Sequence, residues 1–266
     1  MNAYAILCTL RDADYHEGGI RCRQLFRVAV PFWGFLRDEV LDICRMRSAS
    51  IVTRSEHITH WTQPWGEVLQ YSLLNASGCY DDTTSDHNES CLGKQFHDSS
   101  CFPKVAAFIA QFPHSINFRI NVLGRHSGLS PHEEHLTLRT RSGAVGLRTR
   151  FHLPIVTNSN CELTLDERVY HLDEGIIYFV NHGCIHSAAN HGESPRVHLV
   201  WDMLLTRAAC DLMFGEASNP AVPLERIPGG EQEIMFRRLE RMAAPRRLRR
   251  AVSWREARQV DFCEVQ

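Results

Sequence analysis

Between residues 115 and 205 the chain alternates short apolar runs with polar breaks. The runs are INFRINVLG, GLRTRFHLPIVT, CELTLD, ERVYHL, GIIYFV and RVHLVWDMLL. Each is rich in β-branched and aromatic residues and has the length of a strand. The breaks are GRHSGLSP, TNSN, LDEG, NHG and NHGESP, all rich in turn-forming residues. Several strands at this spacing predict an all-β sandwich or barrel. Upstream the pattern changes. In VPFWGFLRDEVLDICRMR the apolar positions Phe35, Val40, Ile43 and Met46 fall at helical spacing. FPKVAAFIAQFP predicts a short helix between two prolines. Residues 75–100 are polar and without period, which predicts a long surface loop or lid. From 207 onward the pattern becomes helical, and its arginine-rich segment RRLERMAAPRRLRRAVSWREAR reads as a solvated helix face. We therefore expect a single domain over 1–266. It comprises an N-terminal helical and loop region at 1–114, a β core at 115–205 and a helical tail at 206–266.

Composition narrows the classes. The formal net charge of -2 argues against a nucleic-acid binder, and no run of eighteen apolar residues predicts a membrane helix. The first residues, MNAYAILCTLRDADYHEGG, lack a basic start and a cleavage site, so they read as mature protein. None of the 10 cysteines forms a CxxC pair, which disfavours a zinc ribbon and fits free thiols in a reducing cytoplasm. Lys94 and Lys104 are the only lysines, so arginine is the default grip for carboxylates.

Three features stand out from the background of 15 histidines. First, His132 and Glu134 lie two residues apart after a Gly/Ser/Pro turn, in a segment expected to open a strand. In an extended chain such a pair shares one face and can chelate one ion. Second, His186 follows the apolar run GIIYFV and a turn, and small residues come after it. Two histidines and a carboxylate on one face of a metal form the facial triad of non-haem Fe(II) oxygenases. Third, Arg196 lies on an inward-facing apolar strand, which is costly unless the charge is paired. Its partner is either a ligand carboxylate, gripped bidentately, or an internal aspartate such as Asp202.

Residues 115–205 also resemble a known family. RTRFHLPIVTNSNC, followed by ERVYHLDEGIIYFVNHGCIHSAANHGESPRVHLVWD, is similar to the core of the aspartyl/asparaginyl β-hydroxylases, and most similar to the bacterial branch containing L-proline cis-4-hydroxylases. The resemblance implies a double-stranded β-helix, a cupin-like jelly roll, with flanking N- and C-terminal helices. It implies a dioxygenase dependent on Fe(II), 2-oxoglutarate and O2. By position it places His132 and His186 on the iron, with Glu134 where the family has aspartate or glycine. Arg196 falls on the arginine for the far carboxylate of 2-oxoglutarate. Arg150 and His152 fall on a pair that also contacts this co-substrate, which takes His152 out of the iron ligands. The stretch 139–149 is longer than in the proline hydroxylases, so the substrate cannot be copied from them. The expected function is hydroxylation of a free amino acid or amino-acid-derived small molecule, within specialised-metabolite (antibiotic-type) biosynthesis. The alternatives are hydroxylation of a residue in a peptide or on a carrier, and a cupin-like ligand-binding module without oxidase chemistry. Arg119, Arg125, Arg139 and Arg141 are candidate readers of a substrate carboxylate. No nucleic-acid or membrane partner is expected.

Overall fold

A computed structural model describes residues 21–52, 67–87, 93–112, 115–132, 134, 137–139, 145–204, 207–214 and 223–227. The elements run β1 (Cys22–Val28), α1 (Phe32–Met46), β2 (Ser50–Ile51), β3 (Val68–Ser72), a 3-10 turn (Ser85–His87), α2 (Pro103–Ile109), β4 (Ser115–Leu123), β5 (Ser127–His132), β6 (Thr137–Arg139), β7 (Val145–Val156), β8 (Cys161–Leu165), β9 (Arg168–Tyr170), β10 (Ile176–Val180), β11 (His186–Asn190), β12 (Arg196–Leu204), α3 (Arg207–Phe214) and β13 (Leu224–Arg226). They form two sheets. The larger has the order β13-β1-β10-β7-β12-β4-β3-β2, with β6 on β7, and the smaller has the order β5-β11-β8-β9. This is the double-stranded β-helix expected from the sequence. The large sheet also recruits β1, β2, β3 and β13 from outside residues 115–205.

Side-chain alternation decides what each face does. Val197, Leu199, Trp201 and Met203 of β12 pack on the outer face with Phe151, Leu153 and Ile155 of β7 and Phe118 and Ile120 of β4. Leu36, Val40 and Ile43 of α1 and Val105 and Phe108 of α2 cover them. Trp201 stacks on Phe118 with centroids 5.0 Å apart, while Phe108 meets Trp201 edge-on at 5.7 Å. A second apolar cluster joins the two sheets through Leu163, Leu165 and Ala188 on one side and Leu123, Tyr178 and Val180 on the other. The residues between the outward ones on β4, β7 and β12 are largely polar: Asn117, Arg119 and Asn121, then Arg148, Arg150 and His152, then Arg196, His198 and Asp202. A buried polar wall therefore faces the small sheet, and polar groups persist there only when paired or when a ligand completes them.

The segment read as the break GRHSGLSP is mostly strand, so His132 closes β5 instead of opening a strand. Strand propensity misses β5 because it contains Gly128 and Pro131. Both fit for positional reasons. β5 is the edge of its sheet, where a proline costs no ladder bond. At Gly128 a Cβ would lie 2.7 Å from the Ala188 carbonyl oxygen, so the close approach of β5 to β11 requires glycine.

The loop expected at 75–100 is anchored where it is described. Asp86, fully buried, accepts 2.6 Å and 2.5 Å bonds from Arg119 of β4. Lys94 donates to the carbonyl of Ile116. Arg119 is thus committed to the loop. Arg141 and the arginine-rich tail lie outside the described residues, as do residues 140–144 of the 139–149 stretch.

Candidate metal centre

His132 at the end of β5 and His186 at the start of β11 are direct cross-strand partners. Their rings lie 4.2 Å apart, centroid to centroid. In each ring one nitrogen is fixed by a backbone carbonyl: His132 Nδ1 lies 2.7 Å from Ser130 O, and His186 Nδ1 lies 2.9 Å from Cys184 O. A carbonyl only accepts, so Nδ1 carries the proton and Nε2 presents its lone pair. This is the outer-shell arrangement that prepares histidine for a metal. Both Nε2 atoms converge on Glu134 Oε1, at 4.0 Å and 3.9 Å. Those separations are under twice a metal–nitrogen bond of about 2.1 Å, so one ion reaches all three atoms. Among the described residues, His132, Glu134 and His186 are the one such group of histidine, cysteine and carboxylate side chains.

Several contacts set this geometry. β8 and β9 are joined by Asp166 and Glu167, both at positive φ, in a two-residue hairpin turn. Asp166 accepts the backbone N–H of Ile185 at 3.0 Å and returns its own N–H to the Ile185 carbonyl at 2.8 Å. The residue before His186 is thereby fixed. Glu134 donates its backbone N–H to the carbonyl of His182 at 3.2 Å.

The Glu134 carboxylate is held by two arginines. Arg150 bonds both oxygens as a fork, with Nη2 2.8 Å from Oε2 and Nη1 on Oε1, and Arg148 Nη2 donates to Oε2 at 2.8 Å. Each carboxylate oxygen offers two lone-pair sites, so Oε1 keeps one for the metal side. Behind this layer, Arg150 donates to both oxygens of the fully buried Asp202 at 2.8 Å and 2.9 Å, and Asn117 adds a third bond at 2.9 Å. Burial alone would raise the Glu134 pKa, but Arg150, His182 and Arg148 outweigh it and hold the group ionised well below the usual range. Burial, with His132 second, pushes His186 down to about 4, so it is neutral and ready to ligate at ordinary pH.

Arg196 is only 5% exposed and sits in a small cleft with Thr157, Cys161, Leu163, Tyr170 and His198. It is not paired with Asp202, whose carboxylate is taken by Arg150. No ion pair to Arg196 is present among the described residues. Burial lowers its pKa to about 10, with a small opposing influence from Cys161. His152 is buried between the two ends of the site. Burial, then Arg196, then Arg150 hold it neutral, and His186 also acts on it. The structure thus gathers His132, Glu134, His186 and Arg150 into one cluster, with His152 linking it to Arg196. Arg148, Asp202, His182 and His198 were not singled out as site residues from sequence. For Arg148, Asp202 and His198 the signal was the every-other-residue polar pattern on β7 and β12; His182 lies in the turn after β10, outside that pattern.

The family model for aspartyl/asparaginyl β-hydroxylase matches residues 33–205, more than half of the 266-residue chain. The chain belongs to the aspartyl/asparaginyl β-hydroxylase family. The chain is 33% identical over 88 residues to L-proline cis-4-hydroxylase of Rhizobium meliloti (strain 1021). This match covers 33% of the chain and 29% of that enzyme. Among solved structures, the chain is similar to the non-haem α-ketoglutarate-dependent epimerase SnoN from nogalamycin biosynthesis, at 12% identity and a TM-score of 0.42, covering 85% of this chain and 94% of that one. It is also similar to a 2OG-Fe(II) oxygenase family oxidoreductase from Burkholderia pseudomallei, at 10% identity and a TM-score of 0.37, covering 62% and 77%. The β-hydroxylase match ends just after β12, so it includes both histidines, Glu134 and Arg196.

Proposed function

We propose that this chain is an Fe(II)- and 2-oxoglutarate-dependent hydroxylase acting on a free amino acid or an amino-acid-derived small molecule in specialised metabolism. The observation that carries the reading is the convergence of His132 Nε2, His186 Nε2 and Glu134 Oε1, with both imidazole tautomers preset by backbone carbonyls. Two nitrogens and one oxygen are the donor set Fe(II) takes in facial-triad oxygenases. Bound there, Fe(II) with 2-oxoglutarate and O2 supplies the oxidation that inserts one oxygen atom into a substrate C–H bond, with release of succinate and carbon dioxide.

The chain's own groups would bind, orient and exclude water. His132, His186 and Glu134 hold the ion. Arg196 grips the far carboxylate of 2-oxoglutarate as a planar, bidentate donor. His152, between Arg196 and His186, faces the body of the co-substrate. Arg150 has four of its five donor positions on Glu134 and Asp202, so its main task is to hold Glu134 ionised and aimed at the metal. The double-sided cover of the polar wall keeps water away from these charges and strengthens their interactions.

The amino-acid substrate class draws support from the name of the Rhizobium relative and from nothing finer. Hydroxylation of a peptidyl or carrier-bound residue is the second reading. A cupin-like module without oxidation is disfavoured by Arg196, a buried cation with no ion pair among the described residues.

The test is a panel of amino acids offered to the Fe(II)-loaded protein with 2-oxoglutarate and O2. The reading requires succinate formation coupled to a one-oxygen gain on at least one substrate. Failure to bind 2-oxoglutarate, together with no turnover on any of the panel, would refute it.

A further inference from the structure

His198 is 1% exposed, and its Nε2 has no hydrogen-bond partner among the described residues. A buried imidazole nitrogen left so costs stability comparable to a lost hydrogen bond, unless something else completes it. The residue lies two positions after Arg196 on β12, on the same inward face, and both line the same cleft. Its other nitrogen is occupied: Nδ1 lies 3.5 Å from Nδ1 of His152, with the rings at 90°. One proton is shared across that contact. When His152 supplies it, His198 carries its own proton on Nε2 and becomes a donor.

Among the described residues, the rest of the cleft offers no buried carboxylate to that donor and to Arg196, since Thr157 and Tyr170 contribute only neutral hydroxyls. Leu163 and Leu172 are apolar. Cys161 already donates to Asn190 at 3.4 Å. Glu162 also lines the cleft, but on β8 it alternates with the buried Cys161 and Leu163 and is itself exposed. A guanidinium and a partnerless imidazole nitrogen on one strand face form a donor set that suits a planar anion with two oxygens, one for each.

We propose that His198 is a positioning residue that donates from Nε2 to the far carboxylate of a 2-oxo diacid held by Arg196. This rests on the proposed function and deepens it. His198 adds a second donor that selects the diacid over a shorter 2-oxo acid, and a proton supplied by His152 to Nδ1 leaves Nε2 as the donating nitrogen. Arg196 alone would grip a carboxylate at several tilts, and a donor from the same strand face restricts it to one.

The experiment uses the full chain loaded anaerobically with Fe(II). 2-Oxoglutarate and 2-oxobutyrate are titrated by calorimetry into wild type, His198→Phe, His198→Gln and Arg196→Met. The two ligands share the 2-oxo-acid head, and only the first has the far carboxylate. His198→Phe should weaken 2-oxoglutarate binding about tenfold or more, the loss of one hydrogen bond to a charged group. It should leave 2-oxobutyrate unchanged, and His198→Gln, which keeps a donor, should recover most of the loss. Fe(II) stoichiometry and melting temperature report the fold. If His198→Phe does not fold, the imidazole 15N spectrum of the wild type decides, because 2-oxoglutarate must shift the His198 Nε2 resonance and 2-oxobutyrate must not. Unchanged 2-oxoglutarate affinity in the His198 variants, or equal loss of both ligands, overturns the inference while leaving the proposed function standing. A wild type that binds no 2-oxoglutarate overturns both.

Discussion

Arg150→Met removes the hinge between the metal ligand and the buried core. The substitution keeps most of the side-chain length but deletes four hydrogen bonds, two to Glu134 and two to Asp202. Asp202 is fully buried and, among the described residues, its carboxylate would retain Asn117 and a 3.7 Å contact with Arg148. Breaking a buried ion pair from one side costs about 3–5 kcal/mol, because the remaining charge is left without compensation. The second consequence is at the metal. Burial raises the Glu134 pKa and Arg150 is the largest opposing influence, so without it Glu134 shifts upward toward protonation. Metal binding must then displace a proton that the wild type does not carry. Two assays follow: urea unfolding of the metal-free protein, and Fe(II) or Mn(II) titration between pH 6 and 8. We expect a loss of several kcal/mol in the first and a new pH dependence in the second. Arg150→Met combined with Asp202→Leu should recover part of the stability and none of the metal pH dependence. A stability loss below about 1 kcal/mol with unchanged metal titration would refute the reasoning.

Three further outcomes are expected. His182 is held at about 3 and His186 at about 4, both mainly by burial, against 6.5 when exposed. A lowered histidine pKa means the unfolded chain takes up protons that the folded chain refuses. Metal-free stability should therefore be intact above about pH 6.5 and fall as pH drops toward 4, by up to about 1.4 kcal/mol per pH unit for each histidine, seen as a falling urea midpoint. Asp86→Ala leaves the Arg119 guanidinium uncompensated and should speed amide exchange across residues 79–87, with the exchange of β10 amides unchanged. Gly128→Ala drives a Cβ to 2.7 Å from the Ala188 carbonyl oxygen. It should cost about 1–3 kcal/mol in unfolding free energy and weaken Fe(II) binding, since the shifted strands carry His132 and His186.

Periodicity made the centre of the large sheet legible, β10-β7-β12-β4, but not β1, β2, β3, β6 or β13 around it. GLRTRFHLPIVT and RVHLVWDMLL announced β7 and β12 by composition, and α1 and α2 followed from helical spacing and flanking prolines. β5 escaped because an edge strand containing glycine and proline carries no propensity signal, although it bears His132. The grouping of His132, Glu134 and His186 was readable, because His-x-Glu and a histidine followed by small residues stand out in the sequence. The arginine clamp on Glu134 was not. Whether Arg148 and Arg150 face a carboxylate or a co-substrate depends on which residue of β12 lies opposite, and the pairing of Asp202 with Arg150 is set by register between strands about fifty residues apart. That same register commits Asp202 to Arg150, which removes one of the two partners left open for Arg196. Residues 75–100 looked like a free lid because polarity marks exposure, whereas Asp86 is polar and buried against a single cation.

Anaerobic titration of Fe(II) into metal-free protein tests the central claim most directly, followed by addition of 2-oxoglutarate. The account predicts one Fe(II) per chain, bound by the wild type and lost in His186→Ala with the fold retained, and one 2-oxoglutarate taken up only by the iron-loaded form. Fe(II) binding that survives in both His132→Ala and His186→Ala would contradict it.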